Sequence, residues 1–349
     1  MPHKTDIKSL NYNELVQYVE SINEKKFRAA QLYSWMHEKL AESYDEMTNI
    51  SDKLKNTLKE DTLYTSLKIV KMQESMIDGT RKYLFELYDG NLIESVFMKY
   101  HHGNSVCISS QVGCKMGCRF CASTLNGCVR NLLPSEMLDQ IYRISRDTNE
   151  RVSNVVIMGS GEPMDNYDNV IKFIELLNSE RGLNISQRNI TVSTCGIVPK
   201  IKELADLKLQ ITLAISLHAP NDELRKTMMP IANKYSIAEI MDACRYYLDK
   251  TGRRISFEYS LVKGVNDTKE CANELIELVK GLNCHINLIP VNPIKERDYE
   301  QSEKNSIKNF KDMLERKGIN ATVRREMGRD IDGACGQLRQ NHIDENSAI

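Results

Sequence analysis

The chain lacks several features that would assign its class at once. No apolar run approaches the roughly 20 residues that a membrane-spanning helix needs, so no membrane partner is expected. Met1-Pro2-His3-Lys4 opens without the apolar core of an export signal. The expectation is a cytoplasmic protein whose ten cysteines are reduced, serving as ligands, nucleophiles or buried apolar groups rather than structural disulfides. Charge of one sign is not in excess: 47 Lys and Arg stand against 48 Asp and Glu, a formal net charge of -1. That argues against coating nucleic acid by bulk charge and leaves room only for a local basic patch. Internal repeats and low-complexity tracts are also missing. What is present is 349 residues of ordinary globular composition, 41% hydrophobic and 27% charged, enough for a large core.

Residues 1–65 read as a small helical unit. Asn11 is placed to cap a first helix, a second runs through the only tryptophan, Trp35, and a third covers 53–59. Lys25, Lys26 and Arg28 beside Tyr33 and Trp35 form either a small nucleic-acid surface or a solvated face over an aromatic core. Over 66–104 the period changes to two, with turns at Asp78-Gly79 and Asp89-Gly90-Asn91, which predicts a short β-extension. From 105 to 325 strands near 154–158, 189–193, 210–216, 255–261 and 285–290 alternate with helices. Counting the strand before 114, about six βα units result, predicting an α/β fold with a parallel sheet, open or curled into a partial barrel. Its site lies at the carboxyl ends of the strands. The remaining 326–349 form a glycine-rich loop and tail.

Cys114, Cys118 and Cys121 stand in a C-x3-C-x2-C frame loosened by Gly113 and Gly117. Structural zinc and electron-carrying clusters normally take four closed ligands. Three close thiols with no second pair instead suit a [4Fe-4S] cluster with one open iron, although Cys128 is available as a fourth ligand. The strand at 155–158 ends in Gly159-Ser160-Gly161-Glu162-Pro163, where glycines let a ligand approach the backbone. Ser193, Ser216-Leu217-His218 and Asn292 follow other strand ends. Each alone would pass for an ordinary loop residue. Cys335 lies between glycines in a stretch without apolar periodicity, which favours a reactive thiol, with Cys107 before the cysteine frame as its partner.

Taken together, Cys107 to Cys114, the cysteine frame with Phe120 before its last thiol, Gly161-Glu162-Pro163, Ser216-Leu217-His218 and Asp330 to Leu338 resemble the RlmN/Cfr family of radical S-adenosylmethionine RNA methyltransferases. The likeness spans nearly the whole chain. It implies a partial (β/α)6 barrel holding one [4Fe-4S] cluster on Cys114, Cys118 and Cys121. It also implies two molecules of S-adenosylmethionine per turnover, bound through Gly161, Glu162, Ser193, Ser216, Leu217, His218 and Asn292. Cys335 would carry the methyl group, a radical formed on it would attack adenine, and Cys107 would resolve the protein–RNA adduct as a disulfide. Glu94 would accept the ring proton, although by spacing alone it reads as an exposed strand carboxylate. The implied substrates are 23S ribosomal RNA near the peptidyl transferase centre and an adenosine beside the anticodon of tRNA. The N-terminal helices and Arg324, Arg325 and Arg329 would contact the RNA. An external donor such as flavodoxin or ferredoxin would supply electrons to a monomer. The motifs resemble the carbon-2 branch. Carbon-8 methylation, a radical activase, and a zinc or iron–sulfur RNA-binding protein are the alternatives. Ser160, Cys195 and Gly333 depart from the family pattern.

Overall fold

The computed structural model describes residues 4–101, 103–293, 297–331 and 336–347, the last by backbone alone beyond 343. A two-stranded parallel pair, β1 (Thr5–Asp6) and β2 (Thr62–Leu63), closes the helices α1 (Tyr12–Ser21), α2 (Phe27–His37) and α3 (Asp52–Asp61) into a unit. As expected, Asn11 caps α1: its Oδ1 accepts from Glu14 N–H, and Glu14 reaches back to the Asn11 N–H. This unit has its own core, with Leu15, Leu32, Met36 and Leu54 inside. A buried ion pair joins it to the rest. Lys8 Nζ lies 2.8 Å from Asp139 Oδ1 and donates to the Thr65 carbonyl, while Asp139 Oδ2 accepts from Leu67 N–H.

The main sheet has ten strands. An antiparallel meander, β3 (Lys68–Glu74), β4 (Arg81–Glu86) and β5 (Leu92–Tyr100), pairs onto β6 (Gly103–Ile108). Here the sheet turns parallel, running through β9 (Val152–Ile157), β10 (Ile190–Thr194), β11 (Thr212–Ser216), β12 (Ile255–Leu261), β13 (Cys284–Pro290) and β14 (Ala321–Val323). Between β6 and β9 a short antiparallel pair, β7 (Gln111–Gly113) and β8 (Cys128–Asn131), brackets the cysteine frame. The helices α4 (Pro134–Thr148), α5 (Tyr167–Asn178), α6 (Val198–Asp206), α7 (Asp222–Met228), α8 (Ile237–Thr251), α9 (Lys269–Val279) and α10 (Lys304–Arg316) fill the crossovers. Six parallel strands are each followed by helix, and β14 closes the series, which is the (β/α)6 arrangement expected.

These strands form because Val, Ile and Leu fill their buried positions: Val155, Ile157, Leu213, Ile215, Phe257, Ile286 and Leu288 are fully or almost fully enclosed in one core with Leu138, Phe173 and Leu275 from the helices. Helix α11 (Gln337–Ser347) was not expected, because its stretch reads as tail. Among the described residues no helix is long and apolar enough to cross a membrane.

Candidate active site

The carboxyl ends of β6, β9, β10, β11, β12 and β13 open into one cavity of about 790 Å³. Cys114, Cys118 and Cys121 line it. Their loop is fastened on every side. Cys114 N–H donates to the Gly127 carbonyl, and Arg119 N–H to the Met228 carbonyl. Lys115 pairs with Asp165 at 2.8 Å. The Phe120 ring meets the His218 ring edge to face, centroids 4.6 Å apart. At Gly113, φ is +78° and a Cβ would stand 2.0 Å from the Gly127 carbonyl oxygen, so only glycine fits.

The loop after β9 lies directly on the backbone leading into the cysteine loop. At Gly161, φ is +108° and a Cβ would come within 2.6 Å of the Gln111 Cβ. Glu162 is buried, its Oε2 accepting from Cys195 N–H at 2.8 Å and its Oε1 from Met164 N–H at 3.0 Å. Burial raises its pKa, against the pull of these N–H groups. Ser193 and Ser216 face each other with Oγ atoms 3.4 Å apart, and both line the cavity, as does Asn292. His218 has a φ of +57°. Its Nδ1 accepts from Ser260 N–H at 2.9 Å. Burial lowers its pKa to about 3, so the ring is neutral and carries its proton on Nε2. Leu217 differs from its neighbours: its side chain is in the core, and only its backbone takes part, accepting from Arg225 Nε.

Cys107 is buried on β6 and lines the same cavity. Cys335 lies outside the described residues. Gly336, which follows it, has a φ of +83° and is pressed against Ala122 and Ser123, where a Cβ would meet the Ser123 nitrogen at 2.8 Å. The Gly336 N–H donates to Glu94 Oε2 at 2.7 Å and the Arg339 N–H to Glu94 Oε1 at 2.5 Å. Glu94 therefore caps α11 from another element. Lys82 Nζ stands 3.1 Å from the same carboxylate, and the two side chains are 0% and 4% exposed. Glu94 is thus not the exposed strand carboxylate that spacing suggests.

Two polar residues escaped the sequence reading. Glu258 on β12 lines the cavity, buried, accepting from Ser256 Oγ and from Asn287 Nδ2 at 2.7 Å. A carboxylate in the otherwise mostly apolar run Ile255–Leu261 was the signal available. Arg225 is fully buried and donates to the carbonyls of Cys195, Leu217 and Ser216. Its Nη1 has no hydrogen-bond partner among the described residues.

The donor set fits a cluster with an open iron. Among the described residues no three His, Cys, Asp or Glu converge as ligands of a single ion. A cubane cluster asks for something else, since each thiolate takes a separate iron and the ligands surround the group. Cys114, Cys118 and Cys121 all line the one cavity, and the buried guanidinium of Arg225 puts positive charge near Cys118. Burial pushes the Cys114 thiol up to about 12, so iron would have to displace its proton.

A parallel (β/α)6 sheet with three loop cysteines over a cavity at its carboxyl end defines a radical S-adenosylmethionine enzyme. Residues 108–279 match the radical SAM superfamily, and 5–63 match a ribosomal RNA large subunit methyltransferase N-terminal domain. A probable dual-specificity RNA methyltransferase RlmN of Lachnospira eligens is 77% identical, over 98% of this chain and 97% of its own. Its counterpart in Lachnoclostridium phytofermentans is 61% identical, over 98% and 96%. A crystal structure of a radical SAM methyltransferase from Sphaerobacter thermophilus superposes with a TM-score of 0.92 at 41% identity, covering 95% of this chain and 98% of that one. The chain belongs to the RlmN family. Its cofactors are accordingly a [4Fe-4S] cluster and S-adenosylmethionine, two molecules of the latter per turnover.

Proposed function

We propose that this protein methylates carbon 2 of an adenosine in 23S ribosomal RNA, near the peptidyl transferase centre, and of an adenosine beside the anticodon in tRNA. Adenine carbon 2 is not nucleophilic, so displacement from a sulfonium cannot alkylate it. Bound in the cavity, the cluster and S-adenosylmethionine supply a transferable methyl group and a carbon-centred radical. The observation that carries the reading is the seating of Gly336 against Ala122 and Ser123, one and two residues beyond Cys121, beside the cavity that Cys107, Cys121 and Gln337 line. It supports Cys335, the preceding residue, as the carrier of the methyl group.

In this reading Cys114, Cys118 and Cys121 hold the cluster. The backbone at Gly161-Glu162, with Ser193, Ser216, the Leu217 backbone, His218 and Asn292, holds S-adenosylmethionine. Once adenine is joined to the Cys335 methyl carbon, the Cys107 thiolate attacks the Cys335 sulfur. The sulfur–carbon bond breaks with its electron pair left on the carbon, which takes up a proton to become the methyl group of the departing methyladenine. An external reductant reopens the Cys107–Cys335 disulfide, while a donor of the flavodoxin or ferredoxin type supplies electrons to the enzyme. Both oxygens of Glu94 are engaged by Lys82 and the start of α11. As proton acceptor it would first release one of those bonds. RNA would enter over Arg324, Arg325 and Arg329, which line the cavity mouth, with 1–65 as an accessory RNA-binding unit, 66–104 as the β-extension, 105–325 as the barrel core and 326–349 as the tail that carries Cys335. The protein acts as a cytoplasmic monomer in this account.

The test is nucleoside mass spectrometry with Cys335→Ala. The parent should yield 2-methyladenosine, and the variant should keep its cluster absorbance while yielding none. 8-Methyladenosine from the parent would replace the carbon-2 assignment, and retained methylation by the variant would refute the carrier role.

A further inference from the structure

We propose that the β3–β4 turn is a latch that positions the methyl-carrying loop, with Ser75, Asp78 and Asp330 as its parts. This rests on the reading of Cys335 as methyl carrier. The turn is internally braced. Ser75 N–H donates to the Thr80 carbonyl, and the Ser75 hydroxyl accepts from the N–H groups of Ile77 and Asp78. Asp78 Oδ1 accepts from Thr80 N–H. The segment ahead of Cys335 is bound to this frame in both directions. Asp330 Oδ1 accepts from the Ser75 hydroxyl at 2.5 Å, and its Oδ2 from Met76 N–H at 2.7 Å. Asp78 Oδ2 accepts from Gly328 N–H at 3.0 Å. Gly328 has a φ of +62° and packs so closely that a Cβ would meet Ile331 at 2.9 Å.

The described residues before and after Cys335 are therefore both held by the same β-extension, and the two holds differ in kind. Behind it, Glu94 and Lys82 form a buried anchor. Ahead of it, Asp330 is exposed, so water competes with the latch. In this reading the Cys335 thiol meets a methyl donor, adenine and Cys107 in turn, so where the chain on either side of it is held bears on each encounter. Asp330 and Asp78 are positioning residues, acting on the reaction through where they hold Cys335.

The experiment is hydrogen–deuterium exchange on the full-length, cluster-loaded protein, comparing peptides from 326–336 and 337–347 in the parent, Asp330→Ala and Asp330→Asn. Loss of the latch should speed exchange in 326–336 about three- to tenfold, the size expected for losing two hydrogen bonds to an exposed carboxylate, and leave 337–347 at the parent rate. Asp330→Asn, which retains an acceptor, should fall between. In RNA methylation, Asp330→Ala should lower kcat with little change in the KM for RNA. Asp78→Asn, altering the other half of the latch, should act in the same direction. Unchanged exchange in 326–336 overturns the latch, as does equal acceleration in 337–347, which would mean general loosening of the tail. Faster exchange with unaltered kcat overturns the positioning role. Exchange is read without RNA, so failure of the methyl-carrier reading would show separately, as methylation retained in Cys335→Ala.

Discussion

Replacing Glu94 by alanine separates an anchor from a bystander. The carboxylate accepts from Gly336 N–H and Arg339 N–H and lies 3.1 Å from Lys82, and both charged side chains are nearly sealed from water. Removing one member of such a pair strands the other charge in a low-dielectric site, at a cost of about 3–5 kcal/mol. The start of α11 also loses its cap, worth about 1 kcal/mol in its own right. Thermal unfolding of Glu94→Ala should therefore shift downward by roughly 5–10 °C. The double variant Lys82→Met/Glu94→Ala removes the stranded charge and should recover most of that loss but not the cap. Exchange in 337–347 should then stay fast in both variants while stability diverges. A single variant that melts with the parent, or a double variant no more stable than the single, would refute the ion-pair account. Slow exchange in 337–347 without Glu94 would refute the cap.

The remaining predictions use other parts of the molecule. Gly161→Ala puts a Cβ within 2.6 Å of Gln111 at a φ of +108°, so the β9 loop must shift. Binding of S-adenosylmethionine, followed by calorimetry, should weaken more than tenfold, about 1.4 kcal/mol, with the fold intact by circular dichroism. His37 is buried and its pKa falls to about 3 through desolvation, from 6.5 in its ordinary state. The unfolded chain therefore binds the extra proton between pH 6.5 and 3, and stability falls as pH drops through that window. Going from pH 7 to pH 5 should cost about 2 kcal/mol from this residue, and urea titrations of His37→Gln should lack that component. Arg325→Ala at the cavity mouth should lower RNA affinity and reduce the salt-dependence slope by about one, measured by filter binding across salt concentrations.

Features set by local spacing were legible in the sequence. The cysteine frame is short, and each βα unit repeats the same change of period, so the barrel and its three thiols could be placed without any long-range information. Features that depend on a partner far along the chain were not. Helix α11 reads as tail because the group that caps it, Glu94, belongs to a strand 242 residues earlier than Gly336. For the same reason Glu94 reads as a surface carboxylate, since nothing local announces Lys82 on the neighbouring strand. The strands β7 and β8, of three and four residues, fall below the length at which a period of two can be recognised. Tyr33 belongs to the helical core and Lys39 lies over the Trp35 ring, so part of the apparent aromatic surface near Lys25 and Arg28 is packing.

The departures from the family pattern show how backbone and side-chain roles divide at this site. Ser160, just before Gly161, departs from the family pattern, and it fits because its side chain finds Ser123 Oγ at 3.0 Å while its carbonyl accepts from Ser110 and Gln111 N–H. The hydroxyl adds a tie between the β9 loop and the residues just beyond Cys121. Cys195 also departs, and its backbone makes two contacts there, with the N–H on Glu162 and the carbonyl taking Arg225 Nη2 at 2.6 Å. Its thiol also reaches the Glu162 carboxylate, so the side chain adds to the hold its backbone already makes there. Gly161 admits no side chain, because the space one needs is already filled by Gln111 and Ser110. The cofactor pocket is thus specified mainly by main-chain geometry, with the buried side chains of Glu162 and Arg225 serving to hold that geometry in place.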